Sequence, residues 1–160
     1  MTLFPGLKTG LACGLAVLLM FTIAEAEQTA VPNKNDRCPV CGMFVAPYPA
    51  WIATIEFNNG RREFFDGCKD LFRYYFSLPE QDATVSRSGI RSIQVTDYYT
   101  TRQIAHDQVF YILGSDVYGP MGHELIPVAG EDTAKTFLRD HRGTEILRFD
   151  QLTPQKLPAE

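Results

Sequence analysis

Residues 51–77 read WIATIEFNNGRREFFDGCKDLFRYYFS, and their hydrophobic period changes once along the way. From Trp51 to Phe57 apolar and polar residues alternate, the two-residue repeat of a half-buried strand. Asn58-Asn59-Gly60 is a turn signal, because Asn and Gly tolerate the positive φ angles that tight hairpins require. Arg61 to Phe65 then returns as the partner strand. At Asp66 the period switches. Asp66 is an N-cap residue type, and Leu71, Phe72, Tyr74, Tyr75 and Phe76 supply the apolar face of a helix that ends near Ser77, ahead of Pro79.

The rest of the chain repeats this outline. Glu80 to Gly89 is polar and reads as a loop. Ile90 to Thr96 and Gln108 to Leu113 carry the β-branched and aromatic residues of strands, and Tyr98 to His106 is either a further strand or a connector. Gly119-Pro120-Met121-Gly122-His123-Glu124 is a Gly/Pro-rich turn segment. Leu125 to Val128 is a short strand, and Glu131 to Asp140 a helix with Ala134, Phe137 and Leu138 on its apolar side. His141-Arg142-Gly143 caps that helix, with Gly143 suited to the left-handed position. Glu145 to Phe149 closes the series as a strand. Two β-rich lobes with one helix each point to an α+β domain of mainly antiparallel sheet.

Ahead of this domain, Lys8, the apolar run Gly10 to Ile23 and the small-residue pattern Ala24-Glu25-Ala26 follow the order of a secretory signal peptide,. Residues 1–26 are therefore set aside as a signal and 27–37, polar and aperiodic, as a linker. The domain spans 38–153, and 154–160 form a tail without a core signal. Leu11-Ala12-Cys13 fits a lipidation signal only loosely, so Cys13 is placed inside the apolar run and an exported protein without a lipid anchor is expected. The net charge of −4 argues against nucleic acid as a partner, which would call for basic patches. The seven Tyr and eleven Phe argue for a packed core.

Cys38, Cys41 and Cys68 remain after the signal, an odd number that leaves at least one thiol unpaired within the chain. Cys38-Pro39-Val40-Cys41-Gly42-Met43 places three sulfurs within six residues. Thiolates and thioethers are soft donors that match Cu(I). Two intervening residues let both Cys sulfurs face one ion, and Gly42 permits a tight turn that brings Met43 near. Zn(II) would want two further ligands, and no second C-x-x-C supplies them. A structural disulfide and a thiol redox pair are the alternatives. Gly42, Pro47 and Pro49 disfavour the long helix that a redox motif usually opens. A second donor group is Met121-Gly122-His123, a thioether and an imidazole one Gly apart, with Glu124 as an expected acceptor that orients His123. Cys68, just inside the predicted helix, is either a buried small apolar residue or a reactive thiolate. Asp66 and Asp70 read as charges at a helix N-terminus, and His106 and His141 as surface or capping residues. Among hydrolase, phosphate-loop and zinc-protease motifs, none is present.

Two stretches together resemble the NosL family, the copper-binding accessory proteins of nitrous oxide reductase. One comprises Cys38-Pro-Val-Cys41-Gly-Met43-Phe-Val, Trp51-Ile-Ala, Phe65-Asp66-Gly67 with Lys69-Asp70, and Tyr74-Tyr75. The other comprises Tyr118-Gly-Pro-Met121-Gly-His123-Glu-Leu-Ile-Pro127, Phe137-Leu138 and Leu147-Arg148-Phe149-Asp150. The resemblance implies paired ββαβ units similar to part of organomercurial lyase. It implies a periplasmic Cu(I) metallochaperone, not an enzyme, that serves a client copper enzyme such as nitrous oxide reductase. Its implied metal residues are Met121 and His123, with Cys38, Cys41 and Met43 as the N-terminal motif. The competing reading is a thiol–disulfide oxidoreductase or an organomercurial-lyase-like enzyme working through Cys38 and Cys41.

Overall fold

The structure is a computed structural model that describes residues 1–2, 31–81 and 85–159. The expected signal peptide beyond its first two residues, Cys13 and the start of the expected linker lie outside the described residues.

The hairpin read from residues 51–77 is present. Strands β1 (Ala53–Phe57) and β2 (Arg62–Phe65) pair antiparallel, with Ala53 opposite Phe65 and Glu56 opposite Arg62. Gly60 takes the positive φ of the turn, +82°. Trp51 is not part of the strand. Pro49 starts a short 3-10 turn, Pro49–Trp51, because its fixed φ suits a first helical position,. Helix α1 (Cys68–Ser77) follows, and β3 (Ile90–Thr96) returns to pair with the other edge of β1. The uncertain stretch after it contributes β4 (Gln103–Ala105), so the first sheet runs β2-β1-β3-β4.

The second unit has the same connectivity. Strand β5 (Val109–Leu113) is central, β8 (Ile126–Ala129) pairs on one side, helix α2 (Glu131–Asp140) crosses over, and β9 (Glu145–Leu147) pairs on the other side. Each unit is thus ββαβ, and all strand pairs are antiparallel. Between β5 and β8 the second unit carries an insertion. The Gly/Pro-rich segment, expected as a turn, is a small hairpin of β6 (Tyr118–Gly119) and β7 (Gly122–His123) around Pro120-Met121.

Phe72 of α1 joins the units. It is fully buried, meets Tyr111 of β5 edge-on at 5.2 Å, and lies 5.9 Å from Phe149. A buried aromatic of this kind contributes roughly 1.5–3 kcal/mol by area alone. Asp97, buried at the end of β3, accepts the Ala129 N–H at 2.7 Å and so stitches the first sheet to β8. Leu157 of the C-terminal tail packs against the same core, and the Pro158 carbonyl accepts from Arg73.

The C-cap of α2 differs from expectation by one residue. Arg142, not Gly143, holds the left-handed conformation, at φ +56°. The Gly143 N–H closes the cap on the Leu138 carbonyl at 2.8 Å,. Glycine is needed at 143 for space: a Cβ there would lie 2.6 Å from Ile112 Cγ2.

Candidate metal centre

The segment Cys38–Met43 folds back on itself. The Gly42 N–H donates to the Cys38 carbonyl at 2.9 Å, and the Cys38 N–H donates to the Met43 carbonyl at 2.8 Å. Gly42 supplies φ +78°, as its place in the motif required,. Arg37 closes the turn from outside by donating to the Gly42 carbonyl at 2.7 Å and stacking on Phe44. The result is a knuckle with amide N–H groups aimed at sulfur: those of Cys41 and Val40 at Cys38, and that of Met43 at Cys41. It opens no helix.

The knuckle faces the start of α1. Cys38 Sγ donates to Asp70 Oδ2 at 3.3 Å, and Cys41 Sγ donates to Asp66 Oδ1 at 3.3 Å. One ligand atom from each of Cys38, Cys41, Asp66 and Asp70 lies within 4.8 Å of the others. Cys38, Asp66 and Asp70 are buried, and Cys41 is half-buried. The two carboxyl groups are therefore not the solvated helix charges expected from their spacing. Asp66 does not cap α1 either. Gly67 is the N-cap residue, and the Asp66 side chain is turned to sulfur.

Glu124 takes over part of the capping from across the fold. It is buried, and its Oε1 accepts the N–H of Lys69 at 2.5 Å and of Leu125 at 2.8 Å. The expectation that Glu124 orients His123 gives way to this inward role. Gly67 makes the approach possible: a Cβ there would stand 2.1 Å from Glu124 Oε2. The hairpin β6–β7 is drawn to the site by the same contacts. Lys69 Nζ donates to the Met121 carbonyl at 2.8 Å. As a result Met121 shares a cleft of about 290 Å³ with Val40, Cys41, Lys69, Asp70 and Arg73.

Burial sets the electrostatics. It pushes the Cys38 thiol far above the ordinary thiol range, against the pull of the two amides, and the Asp66 carboxyl adds to the rise. Cys41 is pushed up to about 11, first by burial, while the Met43 amide and Cys38 act the other way and Asp70 and Asp66 raise it further. Burial raises Glu124 to about 7, against the N–H groups of Leu125 and Lys69 and the charge of Lys69. Cys68, enclosed beneath the site, is raised well above the usual value by burial and then by Glu124. That is the setting of an inert packed cysteine. Cys38, Cys41 and Cys68 are all free thiols.

The predicted donors thus fall into three groups. Cys38 and Cys41 join Asp66 and Asp70, two residues whose role sequence spacing did not reveal, and Met121 reaches the rim beside Cys41. Met43 lines a separate groove that Cys41 also borders, with Arg37, Phe44 and Tyr48. His123 is exposed on strand β7 of the hairpin, its ring 4.7 Å from that of Tyr118. Of the other histidines, His141 caps α2 and meets Asp116 at 3.2 Å. His106 packs on Phe149, and burial lowers its pKa.

Two ββαβ units, with one buried and one half-buried thiol set against two carboxyl groups and a thioether on the adjoining cleft, define a small α+β domain with a donor set fit for a metal ion. The chain belongs to the NosL family, whose model matches residues 29–157. It is 24% identical over 157 residues to the copper-binding lipoprotein NosL of Stutzerimonas stutzeri, covering 91% of this chain and 81% of that protein. Its fold is similar to that of the copper chaperone NosL from Shewanella denitrificans. That match has a TM-score of 0.68 at 20% identity and covers 80% of this chain and 97% of the other. The solution structure of apo-NosL from Achromobacter cycloclastes is 27% identical, with a TM-score of 0.47 over 66% of this chain and 87% of that one. Among the described residues no helix is long and apolar enough to cross a membrane.

Proposed function

We propose that the protein is a Cu(I) metallochaperone of the periplasm that hands copper to a client enzyme, nitrous oxide reductase or a related copper enzyme, and does no catalysis of its own. The observation that carries this is that Cys41 belongs to two groupings at once: it clusters with the buried Cys38, Asp66 and Asp70, and it shares one cleft with Met121. Soft donors select a soft ion. On loading, the ion replaces the thiol protons, and the carboxyl groups that already accept the S–H bonds are the first places those protons reach. The names of the relatives, a copper-binding lipoprotein and a copper chaperone, support the same reading.

In this reading Cys38, Cys41 and Met121 hold the ion, while Met43, in the separate groove that Cys41 borders, and His123, on β7, serve in its capture or transfer. Residues 1–26 direct export, and 38–153 form the working domain. The lipoprotein relative favours a lipid anchor over the unanchored form expected from the residues around Cys13. The oxidoreductase and lyase alternatives are weaker. Such enzymes need a thiol with a depressed pKa, whereas Cys38, Cys41 and Cys68 are all shifted upward by burial.

The test is Cu(I) binding under reducing conditions, by competition with a chromophoric Cu(I) chelator. One equivalent is expected to bind. Cys38→Ser with Cys41→Ser is expected to abolish tight binding, and Met121→Ala to weaken it. If both variants bind as the wild type does, the cleft is not the copper site.

A further inference from the structure

Lys69 is 1% exposed, among the largest fully buried side chains described. A long side chain with a polar head is almost never enclosed without a partner to satisfy it. Here the partner is the Met121 carbonyl, at 2.8 Å from Nζ. The Lys69 main chain makes a second link to the same hairpin, because its N–H donates to Glu124 Oε1. One residue in the first turn of α1 thus grips the chain on both sides of His123. The hairpin needs such a grip. Its ladder is two residue pairs long, Tyr118 with His123 and Gly119 with Gly122, and a pairing that short is marginal by itself. Met121 lies at its tip, half exposed, on the cleft that Lys69 and Cys41 also line.

We propose that Lys69 is a positioning residue for the metal. Its side chain pins the Met121 end of the hairpin over Cys41, so that the thioether becomes a third sulfur donor to an ion held by Cys38 and Cys41. The inference rests on the reading of the cleft as a Cu(I) site. Lys69 itself is no ligand, because its amino group is engaged by the Met121 carbonyl. When that contact is removed, the hairpin tip is released and the ion keeps its two thiolates without the thioether.

The experiment compares wild type, Lys69→Met, Lys69→Arg, Met121→Ala and the double variant Lys69→Met/Met121→Ala. Each is assayed for Cu(I) affinity by chelator competition and for sulfur number by copper X-ray absorption. Lys69→Met keeps the stem and removes the donor. It is expected to lower affinity about tenfold, the scale of one modest ligand contact, and to reduce three sulfurs to two. Lys69→Arg, which keeps a donor, is expected to recover the third sulfur. In the Met121→Ala background the Lys69→Met change is expected to cost nothing further, since coupled residues are non-additive. Should Lys69→Met fail to fold, Lys69→Gln, whose side chain stops short of the carbonyl, is read in its place. The proposal is overturned if the Lys69 variants keep three sulfurs and wild-type affinity, or if they lose the same affinity with and without Met121, which would mark a general stability effect. A wild type that binds no Cu(I), or binds it without thiolates, would instead sink the copper reading of the cleft.

Discussion

Raising the pH from 7 to 9 is expected to strengthen Cu(I) binding by about ten-thousand-fold once the competing chelator's own protonation is corrected for. The size follows from the two thiols. Cys41 is pushed up to about 11 and Cys38 higher still, so both carry protons throughout that range. An ion that takes both sulfurs as thiolates must therefore expel two protons, and each proton released contributes tenfold per pH unit. The sign is fixed by the same fact: a protonated ligand competes with the metal, and rising pH removes the competitor. Ordinary thiols would begin to ionise near the top of this range, and the gain would flatten there. Here the steep rise is expected to continue past pH 9 toward 11. The measurement is a chelator competition at half-unit intervals, with the proton release of a single loading step read in weakly buffered solution as a check. A gain of only tenfold per unit would mean that one thiolate binds. No dependence above pH 7 would refute the reasoning outright, since a thioether has no proton to lose, and would move the ion to Met121 and His123.

Two further outcomes follow from the cap. Glu124 is raised from 4.5 to about 7 by burial, so its contribution to stability is full below the unfolded value and is lost as the pH rises through the folded one. The amount is about 3 kcal/mol. Glu124→Gln, which still accepts the two N–H bonds without a buried charge, is expected to be more stable than the wild type at pH 8 and to lose that advantage at pH 4.5. Urea unfolding at the two pH values checks this, and an equal difference at both would count against it. Gly67→Ala brings a Cβ to 2.1 Å from Glu124 Oε2. Displacing the carboxyl group that far is expected to cost about 1–3 kcal/mol and to loosen Met121, seen as a change in its methyl resonance. A silent substitution would mean that the carboxyl group has room to spare.

The main strands and both helices were legible because each has a local signature, whereas β4 and the β6–β7 hairpin, two or three residues a strand, were too short to carry one. Asn58-Asn59-Gly60 between alternating runs admits little but a hairpin, and α2 was placed to the residue by its periodic apolar face. The site was legible by residue type more than by arrangement. Cys38 and Cys41 declare themselves, but Asp66 has one sequence signature whether it caps a helix or faces a thiol, and only the packing of the knuckle against α1 decides between them. Glu124 reaches Lys69 across 55 residues, a partnership that no local pattern encodes. The exchange of roles between Arg142 and Gly143 has in part the same origin, since the nearest atom to a Cβ at 143 belongs to Ile112 of β5, far away in sequence.

The knuckle also has an inside and an outside. Cys38 is 1% exposed, whereas Cys41 and Met121 stand on the cleft wall. On the proposed reading a docking client would approach bound copper from the open side, so Cys41 and Met121 would be the ligands it displaces first and Cys38 the last to let go. Transfer would then be a peeling sequence with a set order, with the buried sulfur as a latch that keeps the ion from drifting into solution before the client has secured it.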